Sequence, residues 1–381
     1  MKAQTILMVL TGLTLLRITA PAQQLSCRQP SLVEFEAPLA SLSPGLGTIG
    51  FAVNNLGEVG GYFQENSVFY TAFPRSPDGK ITPFEAPGST APGGNGTAVL
   101  SMNDFGAVTG RFGTPPDNLG HGYIRSVDGS FTIFEAPDAG TSAGQGTTSY
   151  DINALGATAG VYLDAANVIH GFVRSDRGAI TEFDPVGSVQ TNVCDATCLN
   201  PLGAIAGFYL DANSNYHGFL REPDGKIIVF DAPGVETSGN YNGTYAQSIN
   251  LWGWIAGTYV DPNEVNHGFV RAPDGSFITF DAPGAGKTPG SYQGTYPSSI
   301  NAFGVIVGSF YDANTVAHGF VRSPDGAFNI IDAPGAGAGS GQGTSPIGVN
   351  VEGTVVGYYV DANNGNHGFV WTPPCAGLWP L

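Results

Sequence analysis

The sequence is poor in positive charge. Lysine and arginine together number 14 against 31 aspartates and glutamates, so this chain of 381 residues carries a formal net charge of −17. Such a surface repels phosphate backbones and anionic lipid headgroups, which argues against nucleic acid as a partner. Cations, basic proteins and neutral glycans are compatible with it.

Long apolar runs and helical periodicity are also missing. Beyond the N-terminal segment no stretch approaches the length of a transmembrane helix, and no segment shows a helical period of useful length. The sequence signatures of serine hydrolases, zinc proteases, P-loop enzymes and dinucleotide-binding enzymes are absent as well. What remains is a chain with 56 glycines and 27 prolines, which is typical of many short strands joined by tight turns.

The N-terminus has the pattern of an export signal. Lys2 supplies a positive start, an apolar stretch follows from Ile6 to Leu16, and Ala20 to Ala22 forms a small-residue cleavage site. The pattern predicts a signal peptide at 1–22, a short N-terminal segment at 23–31, and a mature protein that is secreted, periplasmic or on the cell surface. Lipid anchoring at Cys27 is a weaker alternative that stays open.

An internal repeat runs along the whole mature chain. Its anchor, Asn-x-x-Gly-x-x-x-Gly, recurs about every 50 residues, beginning at Asn54, Asn103, Asn153, Asn200, Asn250, Asn301 and Asn350. Each copy predicts four short strands: one that ends at the anchor, a β-branched strand after it, a His-Gly-Phe-Val-Arg strand, and a fourth after an Asp-Gly turn.

The two ends of the repeat array complement each other. The segment Leu32–Pro38 has the pattern of a fourth strand with no third before it, and His367–Trp371 has the pattern of a third with no fourth after it. Pairing them closes a ring and leaves no open sheet edge. The sequence therefore predicts an all-β, seven-bladed β-propeller of four-stranded blades over residues 32–375, with a C-terminal tail at 376–381.

The four cysteines fit an oxidising compartment. Ring closure brings Cys27 near Cys375, so we expect a disulfide there, which in the loop-entropy model contributes about 4–5 kcal/mol. Cys194 and Cys198 lie within one blade, where a local disulfide is expected. A metal site would need more soft ligands than this stretch shows, and a redox motif would have two intervening residues rather than three.

The His-Gly-Phe-Val-Arg, Phe-Asp-Ala-Pro-Gly and Ile-Asn-x-x-Gly-x-Ile-x-Gly phrases together resemble bacterial extracellular repeat proteins of the HAF type. The resemblance covers about residues 32–372. It departs from that pattern in having glycine rather than alanine after the histidine, as at Gly171, and in Thr71, where the first blade lacks the histidine. The resemblance implies export and a repetitive β-architecture, and it implies no particular activity.

The most conspicuous polar residues occur at one position in most repeats. All six histidines follow loops rich in aspartate and asparagine: His121, His170, His217, His267, His318 and His367. Asp211, Asn213 and Asn215 have the alternating oxygen ligands of a calcium loop, but they lack its glycine and closing acidic residue. We favour a structural role, in which each histidine bridges to the aspartate that ends the preceding strand, since features repeated in nearly every blade hold a fold together. The arginine that recurs once per blade is expected to form a hydrogen bond or ion pair, with the aspartate of the Asp-Gly turn as a candidate.

A ligand site is expected where one blade differs from the others. The face formed by the longer loops is the candidate surface. Its candidate ligand-binding residues are Asp211, Asn213, Asn215, Tyr216, Glu264 and Lys287, together with Glu65, Tyr70 and Arg111. Trp252 and Trp254 are equally unusual but flank a turn on the opposite face.

The functional expectation is a secreted binding or interaction scaffold that works as a monomer. Its partner would be an extracellular protein, a peptide or a glycan. No cofactor is required, and calcium is the one candidate metal. The alternative is a propeller hydrolase or lyase with a metal in the central channel, since such sites draw residues from several blades and leave no local motif.

Overall fold

A computed structural model describes residues 29–66, 69–89, 95–115, 118–193, 197–238, 242–291 and 293–374. Within these ranges the chain forms 27 β-strands and no helix, so they contain no helix that could cross a membrane. The predicted signal peptide, Cys27, Cys194, Cys375 and the tail at 376–381 lie outside the described residues.

The strands form antiparallel units that follow the sequence repeat. A first strand, β1 (Ser31–Phe35), precedes unit 1, which contains β2 (Thr48–Val53), β3 (Val59–Gln64) and β4 (Tyr70–Arg75). Unit 2 contains β5 (Gly96–Met102), β6 (Val108–Thr114), β7 (Leu119–Arg125) and β8 (Phe131–Phe134). Unit 3 contains β9 (Gly146–Ile152), β10 (Thr158–Leu163), β11 (Ile169–Arg174) and β12 (Ile180–Phe183). Unit 4 contains β13 (Ser188–Val193), β14 (Ile205–Asp211), β15 (Tyr216–Arg221) and β16 (Ile227–Phe230).

The same pattern continues to the C-terminus. Unit 5 contains β17 (Thr244–Ile249), β18 (Ile255–Val260), β19 (Asn266–Arg271) and β20 (Phe277–Phe280). Unit 6 contains β21 (Gly294–Ile300), β22 (Ile306–Tyr311), β23 (Ala317–Arg322) and β24 (Phe328–Ile331). Unit 7 contains β25 (Gly343–Val349), β26 (Val355–Val360) and β27 (Asn366–Thr372). In unit 1 the place of the fourth strand is taken by two isolated bridges, Arg75 to Ile81 and Ala72 to Phe84.

Single parallel bridges join neighbouring units into larger sheets. Tyr70 pairs with Gly96 and Asn266 with Gly294, in each case linking the third strand of one unit to the first strand of the next. These links produce one sheet of 12 strands, one of 11 and one of 4, although the antiparallel pairing within each sheet stays in groups of four or fewer.

The strand at the N-terminal end completes the unit at the C-terminal end. β1 pairs antiparallel with β27, with Ser31 opposite Thr372 and Phe35 opposite Gly368. This is the pairing that the sequence predicts for the two incomplete end segments. Gly47 also bridges to Asn366, so that unit 7 is linked to unit 1 by the same kind of parallel bridge that links unit 1 to unit 2.

The interface between units is built from one repeated aromatic pair. The aromatic residue that follows the glycine of each third strand is fully buried, as with Phe269 and Phe320. It meets a phenylalanine from the last strand of the preceding unit edge to face, for example Phe230 against Phe269 at 6.3 Å and 80°. Edge-to-face aromatic pairs add specific geometry to the burial of large apolar area.

The repeated arginines use the same phenylalanines, which corrects the sequence prediction. Instead of pairing with the aspartate of the Asp-Gly turn, each guanidinium lies over a ring of the preceding unit at 4.5–5.1 Å from its centroid, which is cation–π geometry. No described arginine lies within ion-pair distance of a carboxylate; the ion pairs of the described residues involve only histidine and lysine. At the interface between units 6 and 7, Ile331 and Trp371 replace the phenylalanine and the arginine and share one apolar cluster.

Two glycines of the repeat are required by close backbone contacts. A Cβ on Gly308, the second anchor glycine of unit 6, would lie 2.1 Å from the carbonyl oxygen of Tyr296. A Cβ on Gly294, whose φ is +120°, would lie 1.9 Å from the carbonyl oxygen of Asn266. The first contact is within a unit and the second is between units, so both levels of packing depend on glycine.

The antiparallel order fixes two faces. The Asn-x-x-Gly and Asp-Gly turns come together on one side, here called the turn face. The loops between second and third strands and the loops between units come together on the other side, here called the loop face. Contacts such as Gln145 Nε2 donating to Asn167 Oδ1 at 3.0 Å join these two kinds of loop.

Candidate functional site

A circle of buried asparagines surrounds the turn-face end of the central channel. In unit 6, Asn301 Oδ1 accepts hydrogen bonds from the backbone N–H groups of Phe303 and Val305, both at 3.0 Å. Its Nδ2 donates to the carbonyl oxygen of Asn350 in unit 7 at 2.9 Å. One side chain therefore shapes its own turn and binds the next unit.

The same contact occurs at every anchor. The donor–acceptor distances are 2.9–3.4 Å along the series Asn54, Asn103, Asn153, Asn200, Asn250, Asn301 and Asn350, and Asn350 returns to the carbonyl oxygen of Asn54. The seven side chains form a closed circle of hydrogen bonds. The sequence analysis identified these residues as turn anchors but missed the contact between units, because one copy of the repeat does not show what its neighbour offers.

The repeated histidines are held by carboxylates. His170 Nε2 lies 3.6 Å from Asp164, the residue that follows the preceding strand, which is the contact the sequence predicts. Its Nδ1 lies 2.7 Å from Asp184, and its ring stacks on Tyr162 with centroids 5.0 Å apart. The second carboxylate, which comes 14 residues after the histidine, was not foreseen.

The other five histidines have closely related surroundings. His217, His267 and His318 each lie between two aspartates, and His367 lies between Asp361 and Glu36. His121 contacts Glu135, 14 residues later, and Thr114 takes the place of the aspartate that precedes the other histidines. All six rings pack against an aromatic ring of the preceding strand. The histidines therefore fasten the loop face within units 2 to 7, since unit 1 has Thr71 at this position.

These contacts give stability a definite pH dependence. A hydrogen bond that His267 donates to the carboxylate of Asp281 raises the pKa of His267 above its ordinary 6.5, although burial opposes the rise. Burial alone would lower the pKa of His170, but Asp184 and Asp164 raise it. Burial alone would also raise the pKa of Asp261, but hydrogen bonds from the backbone of Val265 and from Asn263 lower it below its ordinary 3.8.

We expect the unfolding temperature to be highest between pH 3.8 and pH 6.5. A histidine with a raised pKa in the folded state stabilises the fold fully below pH 6.5, and this contribution is lost as the pH rises through its folded-state pKa. An aspartate with a lowered pKa stabilises the fold above pH 3.8, and this contribution is lost as the pH falls through its folded-state pKa. Thermal melts at pH 5.5 and 8.5 check this. In a variant that carries both His170→Gln and His267→Gln, the decrease in unfolding temperature between pH 5.5 and pH 8.5 should be smaller than in the wild-type protein. A decrease of the same size would show that these histidines do not cause it.

The predicted calcium loop is organised as a hydrogen-bonded turn. Asp211 Oδ1 accepts the backbone N–H groups of Asn213 and Asn215, both at 2.8 Å. The side-chain amides of both asparagines point their donors at Asp211 Oδ2. Although burial alone would raise it, these contacts and His217 lower the pKa of Asp211 to about 2. The arrangement is an Asx turn, in which the carboxylate oxygens already accept hydrogen bonds.

We therefore expect millimolar calcium to leave the unfolding temperature unchanged relative to EDTA. Calcium needs six to eight oxygen ligands, and no group of three or more histidine, cysteine, aspartate or glutamate side chains in the described ranges is placed to hold a metal. Differential scanning calorimetry with calcium, with magnesium and with EDTA checks this. A calcium-specific rise that disappears in Asp211→Asn would show that the turn opens to bind the ion.

The remaining candidate residues do not form one cluster with this turn. Lys287, from the loop between units 5 and 6, donates to Asp281 Oδ2 at 2.9 Å. Glu264 lies in a turn of unit 5 with a φ of +59°. Tyr216 packs between Phe208 and Tyr245, with ring centroids 5.5 and 4.9 Å away. The loop of Lys287 contacts the turn of Glu264, since the N–H group of Gly290 donates to the carbonyl oxygen of Asn263 at 3.0 Å, whereas Tyr216 begins a strand of unit 4.

The side chains along the channel differ from unit to unit, unlike the repeated asparagines, histidines and arginines that hold the fold together. The residue after the anchor's second glycine, in each second strand, is here called the channel-wall position, and its identity changes along the series Tyr62, Arg111, Val161, Phe208, Thr258, Ser309 and Tyr358. Val161 is buried in the cluster between units 3 and 4, and Phe208 packs against Tyr216 and Tyr245. Several residues of the series line two cavities, here called the loop-side cavity, of about 310 Å³, and the wall cavity, of about 370 Å³.

The loop-side cavity collects two residues that sequence reasoning proposed. Tyr70 and Arg111 line it together with Tyr62, Tyr150 and Asn118. The tyrosines at positions 62 and 150 were missed. A sequence signal that would identify them is the alternation within each first and second strand. Every other residue there is a small or apolar core residue, and the residues between them, such as these two tyrosines, vary from unit to unit.

A third cavity, of about 210 Å³, lies at the turn-face end of the channel and is here called the turn-side cavity. Asp104 and Asp151 line it, and Asp151 is buried and accepts hydrogen bonds from Ser101 Oγ at 2.6 Å and from the N–H groups of Ile152 and Leu199 at 2.8 Å. Burial raises the pKa of Asp151. This side chain links unit 3 to the segment after residues 194–196 in unit 4, so its oxygens serve the fold.

Two further predicted features lie at the turn face and in unit 4. Trp252 is 65% exposed, and with Trp254, Ile278 and Phe303 it borders an apolar pocket on the turn face. Cys198 is fully buried in the cluster that joins units 3 and 4. Its predicted partner Cys194 lies outside the described residues.

Comparison with known proteins gives a fold and no family. No family model matches the chain, and no curated protein matches it. A puromycin hydrolase mutant complexed with PGG is similar over 90% of this chain and 56% of its own, at 11% identity and a TM-score of 0.50. Puromycin hydrolase without this ligand is similar over 91% and 57%, at 12% identity and a TM-score of 0.49.

The protein TolB from Acinetobacter baumannii is similar over 91% of this chain and 98% of its own, at 11% identity and a TM-score of 0.41. The present chain spans a little over half the length of the two puromycin hydrolase structures. At such identities the likeness concerns the fold alone. The similar structures are β-propeller proteins. The likeness to the puromycin hydrolase mutant and the repeated antiparallel units together show that the chain is a β-propeller.

Proposed function

We propose that this β-propeller has seven blades and works as an exported binding module that takes a small ligand into its channel from the loop face. The closed circle of asparagine hydrogen bonds supports the blade number, because each of the seven repeats contributes one donor and one acceptor to it. The pairing of β1 with β27 supports closure of the ring in the last blade.

One observation carries the binding function. The residues repeated in nearly every unit are used by the fold: the histidines bind carboxylates, the arginines stack on phenylalanines and the asparagines form the circle. The channel-wall position instead varies in size, aromaticity and charge from one unit to the next. Variation at an inward-facing position on a rigid repeated scaffold is what a specific, asymmetric ligand requires.

The chemistry of the wall favours a small polar ligand with a ring. Tyrosines dominate the loop-side cavity and the wall cavity, with phenylalanine, serine, threonine and glutamine beside them. Tyrosine offers an apolar face for packing and a hydroxyl for hydrogen bonding. A glycan or a peptide side chain combines these two needs. The HAF-type resemblance and the predicted signal peptide support an extracellular setting for such a ligand.

An array of glycans and peptides tests this function with substitutions that the repeat itself supplies. Tyr62→Ser and Tyr358→Ser introduce at the channel-wall position the residue that Ser309 provides in unit 6, so the fold should tolerate them. Both should weaken binding of the ligands that the wild-type protein selects. The control Trp252→Leu introduces at the turn face the residue that Leu56 provides in unit 1, and should bind as wild type. Binding that Trp252→Leu abolishes and the wall variants preserve would place the ligand on the other face.

The predicted Cys27–Cys375 disulfide belongs to the same proposal. β1 and β27 are in register from Ser31 opposite Thr372, and the two cysteines follow shortly beyond that pair in each chain direction. We expect reductant to lower the unfolding temperature of the wild-type protein. Cys27→Ser should lower it to the same extent, and reductant should then cause no further decrease through this disulfide. A free thiol at Cys27 in the exported protein, found by mass spectrometry, would exclude this disulfide.

A further inference from the structure

Arg111 is the cation of the channel. Among the described residues, six other arginines lie over phenylalanine rings of neighbouring units. Lys226 and Lys287 are ion-paired with Glu222 and Asp281. Arg111 instead stands at the channel wall, half-buried in the loop-side cavity, and no carboxylate of the described residues lies within ion-pair distance of it. A charged group withdrawn from water without a partner is costly, which a bound anion would offset.

Unit 2 is adapted around this arginine. The residue before the repeated histidine is isoleucine or tyrosine in units 3 and 4, but in unit 2 it is Gly120. A Cβ on Gly120 would lie 2.8 Å from Arg111 Nε, so the glycine makes the space in which the guanidinium lies. Gly113 stands where most units have leucine or valine, and a Cβ there would lie 1.8 Å from Asn118 Oδ1. These two glycines admit Arg111 and Asn118 to the same cavity.

Asn118 is a second residue of this cavity whose polar atom lacks a partner among the described residues, as Arg111 lacks a carboxylate. Its Oδ1 is buried and has no hydrogen-bond partner among the described residues, and its φ of +56° is unusual for a residue other than glycine. A buried acceptor without a donor costs about 1–3 kcal/mol. A hydroxyl group on a ligand would satisfy it.

The other lining residues describe the rest of the ligand. No carboxylate of the described residues, which leave out 90–94 and 116–117, lines the loop-side cavity; its other polar residues are tyrosines 62, 70 and 150 with Asn95, Asn118 and Thr148. Its volume of about 310 Å³ is at the lower end of the range of ligand pockets, which suits a ligand of one ring. The net charge of −17 disfavours polyanions, so the ligand is otherwise uncharged.

We propose that the loop-side cavity binds a carboxylated sugar, a uronic acid residue, with its carboxylate on Arg111 and a ring hydroxyl donating to Asn118 Oδ1. Arginine can bind a carboxylate through two parallel hydrogen bonds, and the tyrosine rings offer apolar faces to the sugar ring. This inference rests on the proposed binding function and specifies its ligand class.

Isothermal titration with galacturonate, glucuronate and galactose tests the proposal. The wild-type protein should bind at least one of the two acids at least tenfold more tightly than galactose. Arg111→Thr introduces the residue that Thr258 provides in unit 5 and should remove this preference, and Arg111→Lys should retain only part of it, since lysine lacks the two-pronged geometry. Arg177→Thr, at an exposed turn of the turn face, should bind as wild type.

A second variant keeps the arginine and fills its space. Gly120→Val should abolish the preference for the acid because its side chain occupies the position of Arg111 Nε. Circular dichroism and thermal melts establish that each variant is folded before titration. Equal affinity for galactose and both acids, no binding of either acid, or undiminished acid binding by Arg111→Thr would overturn the proposal.

The outcomes also separate this proposal from the function on which it rests. If the array selects ligands whose binding needs Tyr62 and not Arg111, the uronic acid assignment is wrong and the binding function stands. If the wild-type protein binds none of the array ligands and none of the three sugars, both proposals are wrong.

Discussion

Replacing Asn301 by alanine is expected to lower the free energy of unfolding by about 3 kcal/mol, since about 1–3 kcal/mol is lost for each buried polar group left without a partner. The change removes the acceptor of the N–H groups of Phe303 and Val305 and the donor to the carbonyl oxygen of Asn350. Asn301 is 5% exposed, so water cannot readily replace these bonds. Chemical denaturation followed by circular dichroism measures the effect.

A matched asparagine of the same unit serves as the control. Asn314 lies in an exposed loop, where its Nδ2 donates to Asp312 Oδ2 at 3.3 Å, and Asn314→Ala should change the free energy of unfolding by about 0.5 kcal/mol or less. Equal effects at the two positions would mean that the circle of asparagines does not stabilise the fold beyond what a surface turn does.

The second large effect is expected where the ring closes. Phe35→Ala should lower the free energy of unfolding by about 3–5 kcal/mol, the usual range for a buried phenylalanine. The Phe35 ring meets Phe73 edge to face at 6.1 Å and lies under the Arg75 guanidinium at 4.9 Å, so the change removes the layer between units 7 and 1. Denaturant unfolding measures this, and loss of a single cooperative transition would also be consistent with an opened ring.

The same replacement of phenylalanine by alanine at an exposed position of the repeat serves as the control. Phe303 is 46% exposed on the turn face, against 8% for Phe35. Phe303→Ala should therefore cost about 1 kcal/mol or less. A loss at Phe35 no larger than the loss at Phe303 would show that β1 contributes little to holding the ring.

The sequence was sufficient to predict most of the strands, the pairing of the two ends and the contact of His170 with Asp164. The end pairing follows from the two incomplete copies, whereas the strands and the histidine contact depend on patterns that one copy displays in full, such as an aspartate at the end of one strand and a histidine at the start of the next. His170 and Asp164 lie six residues apart, so their contact follows from local geometry.

Contacts between copies could not be predicted in the same way. Arg271 was expected to form a hydrogen bond or an ion pair, and it donates to the carbonyl oxygen of Ala272 at 3.3 Å. Its stacking on Phe230 was missed because that ring comes from another unit, 41 positions earlier. The amide of Asn301 reaches a carbonyl oxygen 49 positions away for the same reason. The register between neighbouring blades is a tertiary property, and the repeat pattern alone does not fix it.

The candidate site stays a prediction. Searching for residues that differ between copies drew attention to Tyr70 and Arg111, which line one cavity. It also selected Asp211 and Lys287, whose polar atoms bind neighbours within the loop face. Hydrogen-bond partners distinguish these cases, and the sequence does not show which polar side chains already have them.

The closed circle of asparagines has a consequence for how such a gene can evolve. An open array of repeats gains or loses a copy by duplication or deletion with little penalty, because each copy contacts only its neighbours. Here the last copy must donate to the first, as Asn350 does to Asn54 at 2.9 Å. One copy more or fewer would change the angle at every interface at once, so we expect descendants of this gene to vary in wall residues and loop length while the number of copies stays constant.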